Sequence, residues 1–284
     1  MGVPHHSRVV ATLAEAIRVT SSDGTQIGSL RIGRGPPLVL VHGTGASHAR
    51  WLSLLPSLAE EFTVYAMDRR GRGLSGDRAP HSIAREFEDV AAVVDSIPAP
   101  VNLVGHGYGA VCALEAALLT PRVRRLVMYE PPIPRLIPNR PHGLEDRMRE
   151  RIAAGDPEGV LVTYLREVHR MPEHEITALR ASPAWEPRLA TVLTLPREVW
   201  VEDSYRFLPG RFESFTLPTL VLAGGASMPF LQEAAGSVGA ALPNVRVETL
   251  TGHQHLAIDH APEQFVDKVV RFVQEPPIPQ FVAG

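Results

Sequence analysis

The 284-residue chain predicts an α/β fold: a mostly parallel central sheet with helices on both faces and an inserted helical lid. Three observations carry this. Short apolar runs alternate with helical patterns along most of the chain, as in parallel strands joined by crossover helices. Runs such as PLVLVHG are apolar throughout and end in a glycine-rich turn, as strands buried on both faces do. One interval, 131–217, reads as helices only and is too long for a simple crossover.

The elements follow in order. Residues 1–14 read as a loose arm. EAIRVTSSDGTQIGSLRIG gives two strands around the turn Ser22-Asp23-Gly24. The strand 37–43 leads to 49–60, where Trp51, Leu54, Leu55 and Leu58 have helical spacing. FTVYAMD, 62–68, is a buried strand followed by the loop RRGRGLSGD, whose Asp68, Arg69, Arg70 and Arg72 read as charges knitting a turn. A helix over 82–97 stops before Pro98, the strand 101–106 follows, and 109–119 is an Ala/Leu-rich helix ended by Pro121. The strand 124–130 is broken by Pro131-Pro132. Within the lid, helices are expected at 143–154, 157–170, 173–181 and about 187–206. Strands at 219–225 and 245–252 flank a helix at 229–241, a helix over 261–274 closes the fold, and PPIPQFVAG is a tail. The division is a core of 1–130 and 218–284 with a lid of 131–217. Such a lid would cover the carboxyl ends of the strands, where open α/β sheets bind ligands. Tyr164, Met171, Trp185, Trp200, Tyr205 and Phe207 all fall in it. Each of these side chains alone is expected to pack the lid onto the core. A few are expected to line an apolar pocket, with Tyr164, Trp185 and Trp200 as the candidates.

Composition excludes several classes. Hydrophobic residues make up 44%, enough for a sizeable core. Net charge is −3, with arginine far outnumbering lysine; no basic block argues for nucleic acid. Cys112 is the one cysteine, so an intrachain disulfide is excluded and nothing argues for secretion. No apolar run reaches the roughly 18 residues of a membrane helix. MGVPHHSRVV lacks the apolar region of a signal peptide. The expectation is a cytoplasmic protein with a small-molecule substrate and no nucleic-acid or membrane partner, its oligomeric state open. No metal-ligand cluster or dinucleotide fingerprint stands out, and no cofactor is implied. GRGLSG fits the latter poorly, since it follows DRR and opens no convincing helix.

The chemistry concentrates at strand ends. VGHGYGA, 104–110, has the G-x-S-x-G spacing of a nucleophile elbow, a sharp strand-to-helix turn. Gly105 and Gly109 stand in the frame positions, but Gly107 occupies the nucleophile's place and has no side chain to attack with.

The stretches LVLVHGTGASHARW, YAMDRRGRGLSGD, LVGHGYGA, LVMYEPP and LTGHQHLAIDHAPEQF span residues 38 to 265. Together they resemble the α/β-hydrolase superfamily, and within it the actinobacterial-type single-domain hydrolases. The resemblance covers the fold; on reaction type it says little, because the fold hosts many chemistries. It implies an oxyanion hole from the backbone N–H groups of Thr44, in the turn His42-Gly43-Thr44-Gly45, and of Tyr108, after the elbow. Both are backbone donors, so a missing serine side chain does not remove them. The G-x-x-H register places the catalytic histidine at His255, with Gly252 as turn glycine. His253 is then expected behind it, and His42 and His260 to be structural. His106, beside the elbow, is expected at the pocket. The usual acid position, after TLVLAGG, reads Ala226-Ser227-Met228-Pro229 and holds no carboxylate. Glu130, at the end of the preceding strand, is the alternative. Two readings of it stand: an acid that orients His255, or a residue capping the lid hinge or pairing with an arginine. Asp259 is expected to start the last helix.

Gly107 therefore fits an altered serine enzyme, a decayed one, or an enzyme that needs no covalent intermediate. The intact His255, oxyanion turn and lid favour the third. His255 would act as general base on a small, largely apolar carbonyl compound, in cyclisation, isomerisation or elimination of a biosynthetic (lyase or isomerase) type. Hydrolysis of an ester, thioester or epoxide through His255-activated water, or by a serine parent, is the alternative; a non-catalytic ligand-binding protein is the third reading.

Overall fold

Among the described residues, eight strands build one sheet: β1 (Glu15–Thr20), β2 (Gln26–Ile32), β3 (Pro37–Val41), β4 (Thr63–Met67), β5 (Val101–His106), β6 (Val123–Tyr129), β7 (Thr219–Gly224) and β8 (Val245–Leu250). Their order in the computed structural model is β1-β2-β4-β3-β5-β6-β7-β8. β1 and β2 pair antiparallel, β2 joins β4 antiparallel, and every pairing from β4 to β8 is parallel. The structure describes residues 14–133, 136 and 141–276. The expected arm up to residue 13, the tail from residue 277 and part of the proline cluster at 131–141 lie outside these.

The parallel strands are buried on both faces because their side chains alternate between two apolar layers. Val39 and Val41 of β3, Leu126 and Met128 of β6, and Val221 and Ala223 of β7 enter one layer. Leu38, Leu40, Val127, Tyr129, Leu220 and Leu222 enter the other. The first layer is covered by α2 (Ile83–Asp95), α3 (Tyr108–Ala116) and α9 (Pro229–Ala241), and the second by α1 (Leu55–Glu61) and α11 (Pro262–Gln274). Between β6 and β7 stand α4 (Leu144–Ala153), α5 (Pro157–Glu167), α6 (Glu173–Arg180), α7 (Trp185–Leu189) and α8 (Leu195–Ser204). They bury a third apolar cluster of their own around Met148, Leu161, Trp185 and Leu195. A short α10 (Ala257–His260) precedes α11.

Local signals explain the helix starts. Ser82 caps α2 by accepting the Arg85 N–H at 3.4 Å, and Asp156 caps α5 by accepting the Gly159 N–H at 2.8 Å, with Pro157 at the first helical position. Two expected helices are divided. The stretch 49–60 forms a 3₁₀ turn at His48–Trp51 and then α1, where Pro56 suits the first turn. The stretch 187–206 splits into α7, a 3₁₀ turn at Val192–Thr194 and α8, with Pro196 in the first turn of α8. A proline lacks an N–H and is placed where a helix begins.

The Arg/Gly loop after β4 is a buried ionic knot, in keeping with its structural reading. Arg69 pairs with Glu86 at 2.6 Å and Glu198 at 3.3 Å, and Arg72 pairs with Glu198 at 2.6 Å. Arg70 binds Asp89 at 2.6 Å and Asp23 at 2.9 Å. Glu198 belongs to α8, so the knot ties the helical interval to the sheet. Burial opposes the Glu198 charge, yet Arg72 and Arg69 hold its carboxyl below the usual range.

Candidate active site

Gly107 links β5 to α3 at φ 54° and ψ −128°. Its N–H donates to the Tyr129 carbonyl at 2.8 Å and its carbonyl accepts the Ala110 N–H at 2.9 Å, so the turn is held at both ends. A side chain at such a φ costs on the order of 1–3 kcal/mol, and glycine adopts it freely. The frame glycines serve close approach. A Cβ on Gly109 would collide with the Val41 and His42 carbonyls, and one on Gly105 with Ala110. At Gly107 the space is different: a Cβ would stand 3.4 Å from both Cε1 and Nε2 of His255, an ordinary contact.

His255 follows β8 in the loop before α10, and its Nδ1 lies 2.7 Å from Glu130 Oε2. Glu130 is fully buried, and its Oε1 accepts the Gly224 N–H at 2.7 Å. Its own N–H donates to the Leu222 carbonyl at 2.9 Å. Glu130 holds φ 48°, the left-handed region that a non-glycine residue rarely takes. With the carboxylate fixed on Nδ1–H, the lone pair of His255 is on Nε2, the nitrogen nearest Gly107.

His106, the last residue of β5, donates from Nε2 to the His255 carbonyl at 3.0 Å. Its ring stacks on Tyr129 at 5.1 Å and lies 4.4 Å from the His255 ring. Burial, then the neighbouring His255 and Arg50, keep it well below the usual histidine range, so it stands neutral. The Tyr129 hydroxyl donates to the Gln254 carbonyl, which ties the His255 loop to β6. His42 is a structural group, as expected: its Nδ1–H donates to the Gly43 carbonyl at 2.8 Å and its Nε2 accepts the Arg69 N–H at 3.1 Å. Burial pushes its pKa down to about 3. The His253 carbonyl accepts the Ala226 N–H at 2.9 Å, behind the site.

Gly107 and His255 open on a cavity of about 480 Å³, shared with Thr44, Tyr108, His106 and Tyr164. Leu161, Leu165, Val168, Met171, Phe230 and Leu231 make its walls largely apolar. Thr44 lies in the turn after β3 and Tyr108 opens α3, where N–H groups and the helix dipole favour negative charge. The Tyr108 ring carries the Arg69 guanidinium 4.3 Å from its centroid.

Two expected pocket residues are not there. Trp185 is buried in the apolar cluster of the helical interval, with Arg180 5.4 Å over its ring. Trp200 is 54% exposed on α8, beside a separate groove with Pro141 and His142. Helical periodicity says that an aromatic is on a face; which face meets the cavity depends on how α7 and α8 cross their neighbours. Tyr205 likewise packs in the core and donates to Glu115 at 2.8 Å. Four ionisable cavity residues had no local signal: Arg50, His169, Arg188 and, as a wall rather than a helix start, Asp259. His169 Nε2 is 2.9 Å from the Tyr164 hydroxyl, and its ring lies 6.0 Å from that of His255.

Comparison with known proteins agrees with this architecture. The model described as "Alpha/beta hydrolase family" matches residues 38–268. A pimeloyl-(acyl-carrier protein) methyl ester esterase of Aeromonas hydrophila is 28% identical over 270 residues, covering 86% of this chain and 97% of that protein. The protein of the same name from Methylococcus capsulatus is 41% identical over 90 residues, which are 31% of this chain and 34% of that protein. The crystal structure of an alpha/beta hydrolase from Sphaerobacter thermophilus matches with a TM-score of 0.81 at 34% identity, over 90% of this chain and all of that one (100%). Among the described residues no helix is long and apolar enough to cross a membrane.

Proposed function

The chain belongs to the alpha/beta hydrolase family, and from that membership we propose that it hydrolyses a small, largely apolar ester or thioester without a covalent intermediate. One observation carries the reading: His255 Nε2 lies 3.4 Å from where a side chain at residue 107 would begin, and that residue is glycine. A water beside Gly107 would give its proton to His255 Nε2 while its oxygen bonds to the substrate carbonyl carbon. Negative charge on the carbonyl oxygen would be held by the Thr44 and Tyr108 backbone N–H groups. The imidazolium, steadied by Glu130, would return the proton to the leaving alkoxide or thiolate as the carbonyl–heteroatom bond breaks. Residues 131–217 would act as a lid that excludes bulk water, over a core of 1–130 and 218–284.

The esterase names of the relatives put hydrolysis ahead of the cyclisation, isomerisation or elimination expected from the sequence. That second reading keeps one specific support: the space between Gly107 and His255 is open to a substrate hydroxyl or acidic C–H as well as to water. Heavy-oxygen water separates the two. Hydrolysis places the label in the released acid, whereas rearrangement places none. A serine-directed phosphonate should leave the intact mass unchanged, and a stoichiometric adduct near the elbow overturns the nucleophile-free route.

A further inference from the structure

Among the described residues, the charged side chains lining the cavity are Arg50, Arg188 and Asp259, two cations against one anion. They come from three elements: the 3₁₀ turn after β3, α7 and α10. Arg50 Nη1 bonds Asp259 Oδ2 at 2.6 Å, and Arg188 Nη2 stands 3.8 Å from the same oxygen. The Arg50 side chain is 6% exposed. Its Nε and Nη2 are buried and find no hydrogen-bond partner among the described residues. Arg188 donates from Nη1 to the Ala184 carbonyl at 3.0 Å. Burial, then the repulsion of Arg50, pushes Arg188 below the usual guanidinium range. Asp259, by contrast, is 39% exposed at its side chain.

An unbalanced cation at the wall of an apolar cavity is unfavourable until an anion joins it. The neighbouring His106 is neutral and adds no further positive charge. The two guanidiniums already converge on one carboxylate oxygen, so a carboxylate is the anion that fits them. We propose that Arg188 and Arg50 form a subsite for a substrate carboxylate remote from the reacting carbonyl, and that Asp259 holds its place in the empty enzyme. The substrate is then an acidic carbonyl compound, such as the half-ester of a dicarboxylic acid. This rests on the hydrolytic reading only for the word substrate; the subsite itself is a matter of binding.

The test uses ligands that cannot turn over. Levulinate and its longer keto-acid homologues are titrated into the protein at low salt, against neutral methyl ketones of matching length, by calorimetry or ligand-observed NMR. The keto acids should bind about tenfold tighter or more, the effect of a charge-assisted pair in a partly desolvated site. Arg188→Met should erase the preference and Arg188→Lys should keep part of it. Asp259→Asn should strengthen keto-acid binding severalfold, because it removes the competing carboxylate. Equal binding of acids and ketones, a preference that survives Arg188→Met, or weaker acid binding in Asp259→Asn each overturns the subsite. If Arg188→Met does not fold, the Asp259→Asn arm decides alone. A triad that merely pins the helical interval to the core would lower Tm in these variants and leave the acid-to-ketone ratio unchanged. Since no turnover is read, loss of the hydrolytic reading leaves this result standing, and the reverse also holds.

Discussion

His255 Nδ1 and Glu130 Oε2 meet at 2.7 Å across 125 residues of sequence, and the other oxygen of that carboxylate is occupied by the Gly224 N–H. The imidazole therefore has one orientation and one tautomer, with Nε2 facing Gly107. Replacing His255 by Ala should remove about 10²–10⁴-fold of turnover while the far-UV spectrum and Tm stay near wild type. Glu130→Gln should lower the rate less, because the imidazole remains but its charged form is poorly supported. Steady-state kinetics check both, and unchanged turnover in Glu130→Gln would deny it the orienting role.

Gly107→Ser should fold, since its Cβ meets only ordinary contacts, but with a stability loss on the order of 1–3 kcal/mol from the positive φ. The hydroxyl would stand where the attacking water is proposed. Native turnover should fall, and the variant should gain a phosphonate adduct that intact mass detects. A severalfold rise in native turnover would mean that the chain is a serine hydrolase lacking its nucleophile.

The two tryptophans of the helical interval should part company. Trp185→Ala should cost about 3–5 kcal/mol in urea unfolding, because a large buried side chain leaves a cavity. Trp200→Ala, on the surface, should stay within about 0.5 kcal/mol and leave KM unchanged. Leu161→Ala or Phe230→Ala, on the cavity wall, should instead raise KM or change substrate preference.

Glu198 joins Arg72 and Arg69 with no exposure, so Glu198→Gln should cost about 3–5 kcal/mol by stranding buried cations. The sign with pH follows from the direction of its shift. The folded carboxyl is held below the unfolded value of 4.5, so its contribution is complete above that pH and is lost as pH falls through the folded value. The wild type should therefore lose stability on acidification more steeply than Glu198→Gln, as pH-dependent urea midpoints would show.

Much of this molecule is legible in the chain alone. The apolar runs ending in glycine specify buried parallel strands, because a strand covered on both faces has few positions for a polar side chain. The frame Gly105 and Gly109 mark the elbow, because any Cβ there would strike backbone. The absence of a carboxylate after β7 pointed to Glu130, and the structure does bring its side chain to His255. Sequence spacing does not say which aromatics of the helical interval face the cavity, nor that Arg50, Arg188 and Asp259 converge on it. Local patterns record a residue's own element and its polarity. Which side chains meet from a turn after β3, from α7 and from α10 depends on how those elements pack, and that is set by long-range steric and electrostatic contacts between the sheet and the helical interval, which no local pattern encodes.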